Sequence, residues 1–328
     1  MKAFEHYNAQ SIDQALSIIK EYDGQARFIA GGTDLLGVLK DEILLHYPQA
    51  IINIKTISGL DGIDKMEDGH IKIGALTKLV HIVDSPMIQK KFPSLAEAAQ
   101  AVATPEIRNM GTLGGNLCQD TRCWYYRYPH QMGGRIQCFR KGKGPCLALK
   151  GDNRYHSIAG GKGCVAVCPS DTAVALVALD ARLSIVGPKG EREISIMDFY
   201  TNTGTILKPD EILKEINIPP VPTNAKQKFL KFTLRKPIDF AVVSTASMIV
   251  VENGICKDAR IALGAVAPTP LRANNAENIL KGRPLDMETA EEAAKKAVEG
   301  FKPLSMNAYK IEITKTLIKR AVTPLPNA

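Results

Sequence analysis

The sequence predicts an α+β chain of two domains, the second a smaller α+β unit in which a three-stranded sheet is backed by helices. Three observations lead there. Short helix and strand signals alternate over the first two thirds of the chain; the stretch Pro219-Pro-Val-Pro-Thr-Asn-Ala225 reads as a linker; beyond it come long strands and then helices. A chain of 328 residues has room for two cores. The cut falls near residue 222, giving domains 1–222 and 223–328.

Each element has its own signal. Ser11 is an N-cap ahead of apolar residues at helical spacing, and Ala26-Arg-Phe-Ile-Ala30 reads as a buried strand. A Gly31-Gly32-Thr33-Asp34 turn follows, then apolar Leu35-Leu36-Gly-Val-Leu, a strand at Ala50–Lys55 and a cleanly alternating strand at His70–Ala75. Ser94 with Glu97 three residues on forms a capping-box pattern, which predicts a helix over 94–103. The continuous apolar run Thr172–Ala181 predicts a buried helix, Arg182–Val186 a strand, and 198–200 and 208–213 short turns between further strands. After the linker, strands are expected at 241–251 and 257–264, and helices at about 273–281, 287–299 and 305–321. No internal repeat of fixed period is visible.

Composition excludes several classes. With 45% hydrophobic and 23% charged residues the chain is ordinary globular protein. The net charge of +8 would suggest nucleic acid only if it gathered with aromatics, and outside the cysteine-rich stretch Lys and Arg are dispersed. No stretch approaches the ~18 consecutive apolar residues of a membrane span, and the segment Met1–Tyr7 lacks a leader's apolar core. Cytoplasm is the simplest location, with export alongside a partner left open.

Six of the seven cysteines fall between Cys118 and Cys168. A secreted disulfide framework would bring an even count, a short chain and a leader. Structural zinc sites usually show two tandem close pairs, whereas here the close pairs are Cys118/Cys123 and Cys164/Cys168, with Cys138 and Cys146 isolated. A plant-type [2Fe–2S] loop fails because Tyr126 stands where the third cysteine is needed. A [4Fe–4S] cube can take thiolates from distant positions, and Cys123, Cys138, Cys146 and Cys164 are the candidate ligands. Arg135, Arg140, Lys141, Lys143, Lys150 and Arg154 would offset their charge. Spacing alone leaves a cluster, a structural zinc and unrelated thiols open.

Two Gly-Gly turns, Ala30-Gly31-Gly32-Thr33-Asp34-Leu35 and Thr112-Leu-Gly-Gly115-Asn116, suit an anion-binding nest in which bare backbone approaches a phosphate. Neither is a Rossmann fingerprint or a Walker A loop.

The motifs AGGTDLL at 30–36, PEIRNMGTLGGNL at 105–117, SDTAVALVALDA at 170–181 and ALGAVAPTPLRA at 262–273 together closely resemble the FAD-binding medium subunit of the molybdenum hydroxylases. That family includes xanthine dehydrogenase, carbon monoxide dehydrogenase, aldehyde oxidoreductase and 4-hydroxybenzoyl-CoA reductase. The resemblance implies a PCMH/VAO-type FAD-binding domain with subdomains at about 1–55 and 56–222, followed by a CO-dehydrogenase-flavoprotein-like C-terminal domain. It assigns Ala30, Gly31, Gly32, Thr33, Asp34 and Leu35 to the diphosphate, with Thr112, Gly115 and Asn116 extending that cradle. Asp171 would hold the flavin or its ribityl region, Leu213 would sit near the adenine and Lys231 near the isoalloxazine. Arg235 and Asp239 also match family positions and are expected to form a structural ion pair.

The stretch 118–168 is similar to the [4Fe–4S] insertion carried by two branches of that family. Where the reductase branch would supply a ligand this chain has Tyr155 and offers Cys138 instead, which brings it closer to the aldehyde-oxidoreductase branch. Ligation by Cys123, Cys138, Cys146 and Cys164, with Cys118 and Cys168 free, is what the resemblance implies. It further implies an electron-transfer subunit with FAD and one [4Fe–4S] cluster. Its partners would be a molybdopterin-binding large subunit and a [2Fe–2S] small subunit, as a heterotrimer or a dimer of trimers. An external carrier such as ferredoxin, NAD or quinone would complete the path.

Overall fold

The computed structural model describes residues 1–236 and 238–323. The first layer is parallel: β1 (Glu5–Asn8), β2 (Ala26–Ile29) and β3 (Ala50–Asn53) lie in the order β1-β3-β2. Parallel neighbours need crossovers, and α1 (Ile12–Glu21) and α2 (Leu35–Lys40) provide them. Ser11 caps α1 as expected, its side chain accepting the Gln14 N–H at 3.1 Å. Ile19, Ala26, Ile52 and Leu60 close a small core beneath this sheet.

The second layer opens with β4 (Ile63–Lys65) and β5 (Ile71–Gly74) and continues through α3 (Leu79–Asp84), α4 (Pro86–Lys91), α5 (Pro93–Gln100), α6 (Pro105–Met110) and α7 (Leu113–Cys118). After a long excursion come α8 (Asp171–Ala178), β6 (Arg182–Gly187), β7 (Gly190–Ser195), a small ribbon of β8 (Tyr200–Thr201) and β9 (Gly204–Thr205), and β10 (Ile212–Ile218). Strands β4-β5-β10-β6-β7 form an antiparallel sheet. Every residue of α8 is buried, which is why its sequence is apolar on all sides.

The capping box at Ser94 and Glu97 does not form. Pro93 occupies the first turn, where its missing N–H costs nothing, so the helix starts from Phe92 and ends at Gln100. Ser94 and Glu97 instead hold the next domain: Ser94 Oγ donates to Gln227 at 3.1 Å and Glu97 accepts the Phe229 N–H at 2.6 Å.

That domain is an antiparallel sheet of three long strands, β11 (Lys226–Phe232), β12 (Val243–Glu252) and β13 (Ile255–Gly264), plus a two-residue edge strand β14 (Leu271–Arg272). Helices α9 (Asn274–Leu280), α10 (Met287–Ala297) and α11 (Tyr309–Val322) cover one face. The other face packs on α5 and α8, so Phe229, Ala246 and Ala262 share one apolar core with Leu95, Leu176 and Ile216. Among the described residues, the chain from 119 to 170 has no strand and no α-helix, and no helix is long and apolar enough to cross a membrane.

Candidate functional site

Two glycine turns meet back to back. A Cβ at Gly31 would lie 2.1 Å from the Met110 carbonyl oxygen, so the turn after β2 presses bare backbone against the entry to α7. Gly32 sits at φ 72°, a conformation that side chains resist. In the second turn Thr112 caps α7 by accepting the Gly115 N–H at 3.1 Å. The cleft beside them has an empty volume of ≈ 990 Å³ and brings together Thr33, Asp34, Thr112, Gly115, Asn116, Asp171 and Lys231. Ala30, Gly31, Gly32 and Leu35 shape the first turn without lining the cleft. Leu213 also stays off its lining, with its side chain in the main core.

The cleft is electrostatically organised. Burial would raise the Asp34 carboxyl, but the Arg122 and Arg127 guanidiniums, at 2.5 and 2.6 Å, outweigh it and hold Asp34 below the usual carboxylate range. The Asn116 amide oxygen accepts from Ser170 and Thr172, each at 2.6 Å, which ties the second turn to the start of α8 and leaves the amide N–H₂ for the cleft. Asp171 meets Lys231 from β11 at 2.7 Å, and Lys231 also donates to the Ala101 carbonyl at 2.8 Å. Burial pushes the Asp171 carboxyl up while Lys231 opposes it. This pair staples the two domains at the cleft's inner end.

A second, mostly apolar cavity with an empty volume of ≈ 1080 Å³ continues from the cleft, sharing Arg122, Asp171, Asp239 and Phe240 with it. Trp124, Tyr155, His156 and Ser244 line its deeper part. His156 Nδ1 and Ser244 Oγ are buried there without a hydrogen-bond partner among the described residues. Arg122 stacks on Phe240, 4.6 Å from the ring centroid. Phe240 and Trp124 carry no motif that marks them as lining residues. Arg235 and Asp239 form an ion pair at 2.7 Å.

Beyond Cys123 lies a small pocket with an empty volume of ≈ 290 Å³, and Cys123, Cys138, Cys146 and Cys164 all line it. Cys118 is exposed at the end of α7, and Cys168 is buried on the apolar cavity instead. Among the described residues, no three His, Cys, Asp or Glu side chains converge tightly enough to hold a single metal ion. Burial raises the Cys123 thiol to about 11, with Cys164 and Cys146 adding to the shift and the N–H groups of Tyr126 and Tyr125 opposing it. Burial also raises Cys164, against Arg140. Of the basic residues expected to offset this site, Arg140 lines it and is itself paired with Asp120 at 2.6 Å. Arg135 instead donates to the carbonyls of Glu42 and Leu45, and Arg154 pairs with Asp152 at 2.8 Å. Their positive charge belongs to loop anchoring.

The loop's returning leg is fixed by α11 and the turn before it. Asn307 donates to the carbonyls of Asn153, His156 and Ser157, and buried Lys310 donates to those of Tyr155, His156 and Ala265. His156 Nε2 lies 3.2 Å from Cys123 Sγ.

Residues 2–221 match the FAD binding domain in molybdopterin dehydrogenase, and 228–325 match the CO dehydrogenase flavoprotein C-terminal domain. The chain is 34% identical to the FAD-binding subunit of aldehyde oxidoreductase from Escherichia coli (strain K12), over 84% of this chain and 86% of that one. It is 26% identical to a putative xanthine dehydrogenase FAD-binding subunit of the same organism, over 97% and 94%. A carbon monoxide dehydrogenase structure from Hydrogenophaga pseudoflava superposes with a TM-score of 0.77 at 26% identity, covering 98% of this chain and 96% of that chain.

Proposed function

Because the chain belongs to the family of FAD-binding medium subunits of the molybdenum hydroxylases, we propose that it is the electron-transfer flavoprotein of a heteromeric enzyme and holds one [4Fe–4S] cluster beside its FAD. The chain divides near residue 222 in this reading, and the two domains together wall the cleft. FAD, when bound, supplies exchange between one-electron carriers and a two-electron partner. The turn from Ala30 to Leu35, with Thr112, Gly115 and Asn116, would hold its diphosphate. The donor set fits: Gly37, Gly111 and Gly115 leave bare backbone on the lining, the Asn116 N–H₂ is uncommitted among the described residues, and two guanidiniums stand beside the Asp34 carboxylate they pair. Asp171 and Lys231 hold the inner end in fixed positions.

One observation supports the cluster: four cysteines from distant points of an irregular loop line a single small pocket. A zinc ion would need its thiolates about 3.8 Å apart. A cube spreads its four thiolates wider than a single ion does. Cys123, Cys138, Cys146 and Cys164 would be the ligands, and a bound cluster supplies one-electron relay. Cys118, Cys168 and Cys256 are one thiolate short of a single [2Fe–2S] centre, so such centres would belong to a small subunit and the molybdopterin to a large one.

Iron and acid-labile sulfide analysis of anaerobically purified protein tests the cluster. About four irons per chain are expected. Stoichiometric zinc without sulfide would remove the cluster and leave the flavoprotein. Flavin absorbance near ~450 nm in the isolated, folded subunit tests the flavin, and its absence would sink the wider proposal.

A further inference from the structure

We propose that His156 is a positioning residue for the cysteine pocket, donating its Nε2–H to the Cys123 thiolate and so setting how readily a cluster there accepts an electron. This rests on the reading of that pocket as a [4Fe–4S] site. The Nε2 to Sγ distance is 3.2 Å. An iron-bound thiolate presents only lone pairs, so at this separation the Nε2–H tautomer is the attractive one. An N–H aimed at a ligand sulfur favours the more negative, reduced cluster and raises its potential.

The placement of the ring is overdetermined. The side chain is 3% exposed and meets Trp124 edge to face, with centroids 5.3 Å apart. Its backbone carbonyl accepts from both Lys310 (2.9 Å) and Asn307 (3.1 Å). Lys310 has no carboxylate partner among the described residues: its donors go to backbone carbonyls, two of them in this one segment. A buried lysine and a buried asparagine of the C-terminal domain are thus committed to fixing the loop at His156. The other ring nitrogen, Nδ1, has no hydrogen-bond partner among the described residues, and the residue lines the apolar cavity that continues into the flavin cleft. His156 therefore touches both compartments.

The test is the midpoint potential of the cluster in the anaerobically purified complex, followed by EPR through a dithionite titration. His156→Leu removes the N–H, and at unchanged iron content should lower the reduced-to-oxidised ratio at fixed potential at least tenfold, about 59 mV for one electron. His156→Gln, which retains a donor, should recover part of that shift. An iron-replete His156→Leu variant with the wild-type potential overturns the proposal. Where the variant does not fold or load iron, wild-type protein labelled with ¹⁵N-histidine decides. Pulsed EPR of the reduced cluster should then show a weakly coupled ¹⁵N with an exchangeable proton, and an uncoupled spectrum overturns the proposal. A wild-type complex without iron would instead refute the cluster reading itself, an outcome distinct from both.

Discussion

The flavin cleft and the cysteine pocket adjoin at consecutive residues, Arg122 facing one and Cys123 the other, yet they are built by opposite means. The cleft is made where regular elements end: a strand-to-helix turn, two helix starts and one strand residue, fixed by backbone sterics and a buried ion pair. The cysteine pocket has no such frame. Its walls come from a loop with only short 3₁₀ turns, and side chains from a distant helix and from Asp34 and Asp120 hold it in place. The cleft thus concentrates its hold in one buried charge pair, whereas the loop spreads its hold over several anchors.

The largest effect should come from removing the cleft's staple. Lys231→Ala strands a buried carboxylate and should cost about 3–5 kcal/mol in denaturant unfolding, together with loss of flavin. Restoring at least half of that stability by adding Asp171→Asn would show that the stranded charge is the cause. Next comes the loop's anchor: Asn307→Ala removes a donor from three carbonyls, leaving that of Ser157 with none among the described residues, and should cost about 1–3 kcal/mol. It should expose the pocket thiols to alkylation while flavin content stays unchanged. Equal losses of flavin and thiol protection would instead make the two regions one cooperative unit. Gly32→Val forces a branched side chain into a left-handed turn and should cost about 1–3 kcal/mol. Here the flavin should be lost from a folded chain, and retained flavin would break the assignment of this turn.

The subtlest effect is on pH dependence. Burial pushes Lys310 down to about 7, so the folded chain holds that proton less tightly than the unfolded one. Its favourable contribution is complete above the unfolded lysine value, near ~10.4, and is lost as pH falls toward about 7. Tm should therefore rise with pH across that window, and Lys310→Met should flatten the rise. Parallel curves for the two proteins would acquit Lys310.

The same contrast explains what could be read in advance. Glycine turns and the all-apolar α8 are local facts, because a steric or burial constraint on one segment leaves its mark within that segment. Ser94 and Glu97 matched a local cap and were misleading, since Pro93 starts the helix and their side chains serve β11 instead. Asn307 and Lys310 were invisible: their partners are backbone carbonyls far away in sequence, and a carbonyl has no residue type. Arg135 was legible as charge but not as an anchor, because its partners, the Glu42 and Leu45 carbonyls, lie some 90 residues away in sequence.

The burial of α8 on every side has a mechanical corollary. It lies in a core to which both domains contribute, so the domains could not swing apart without stripping that core. The two compartments therefore keep a constant separation. A subunit built this way has no place for a swinging carrier domain.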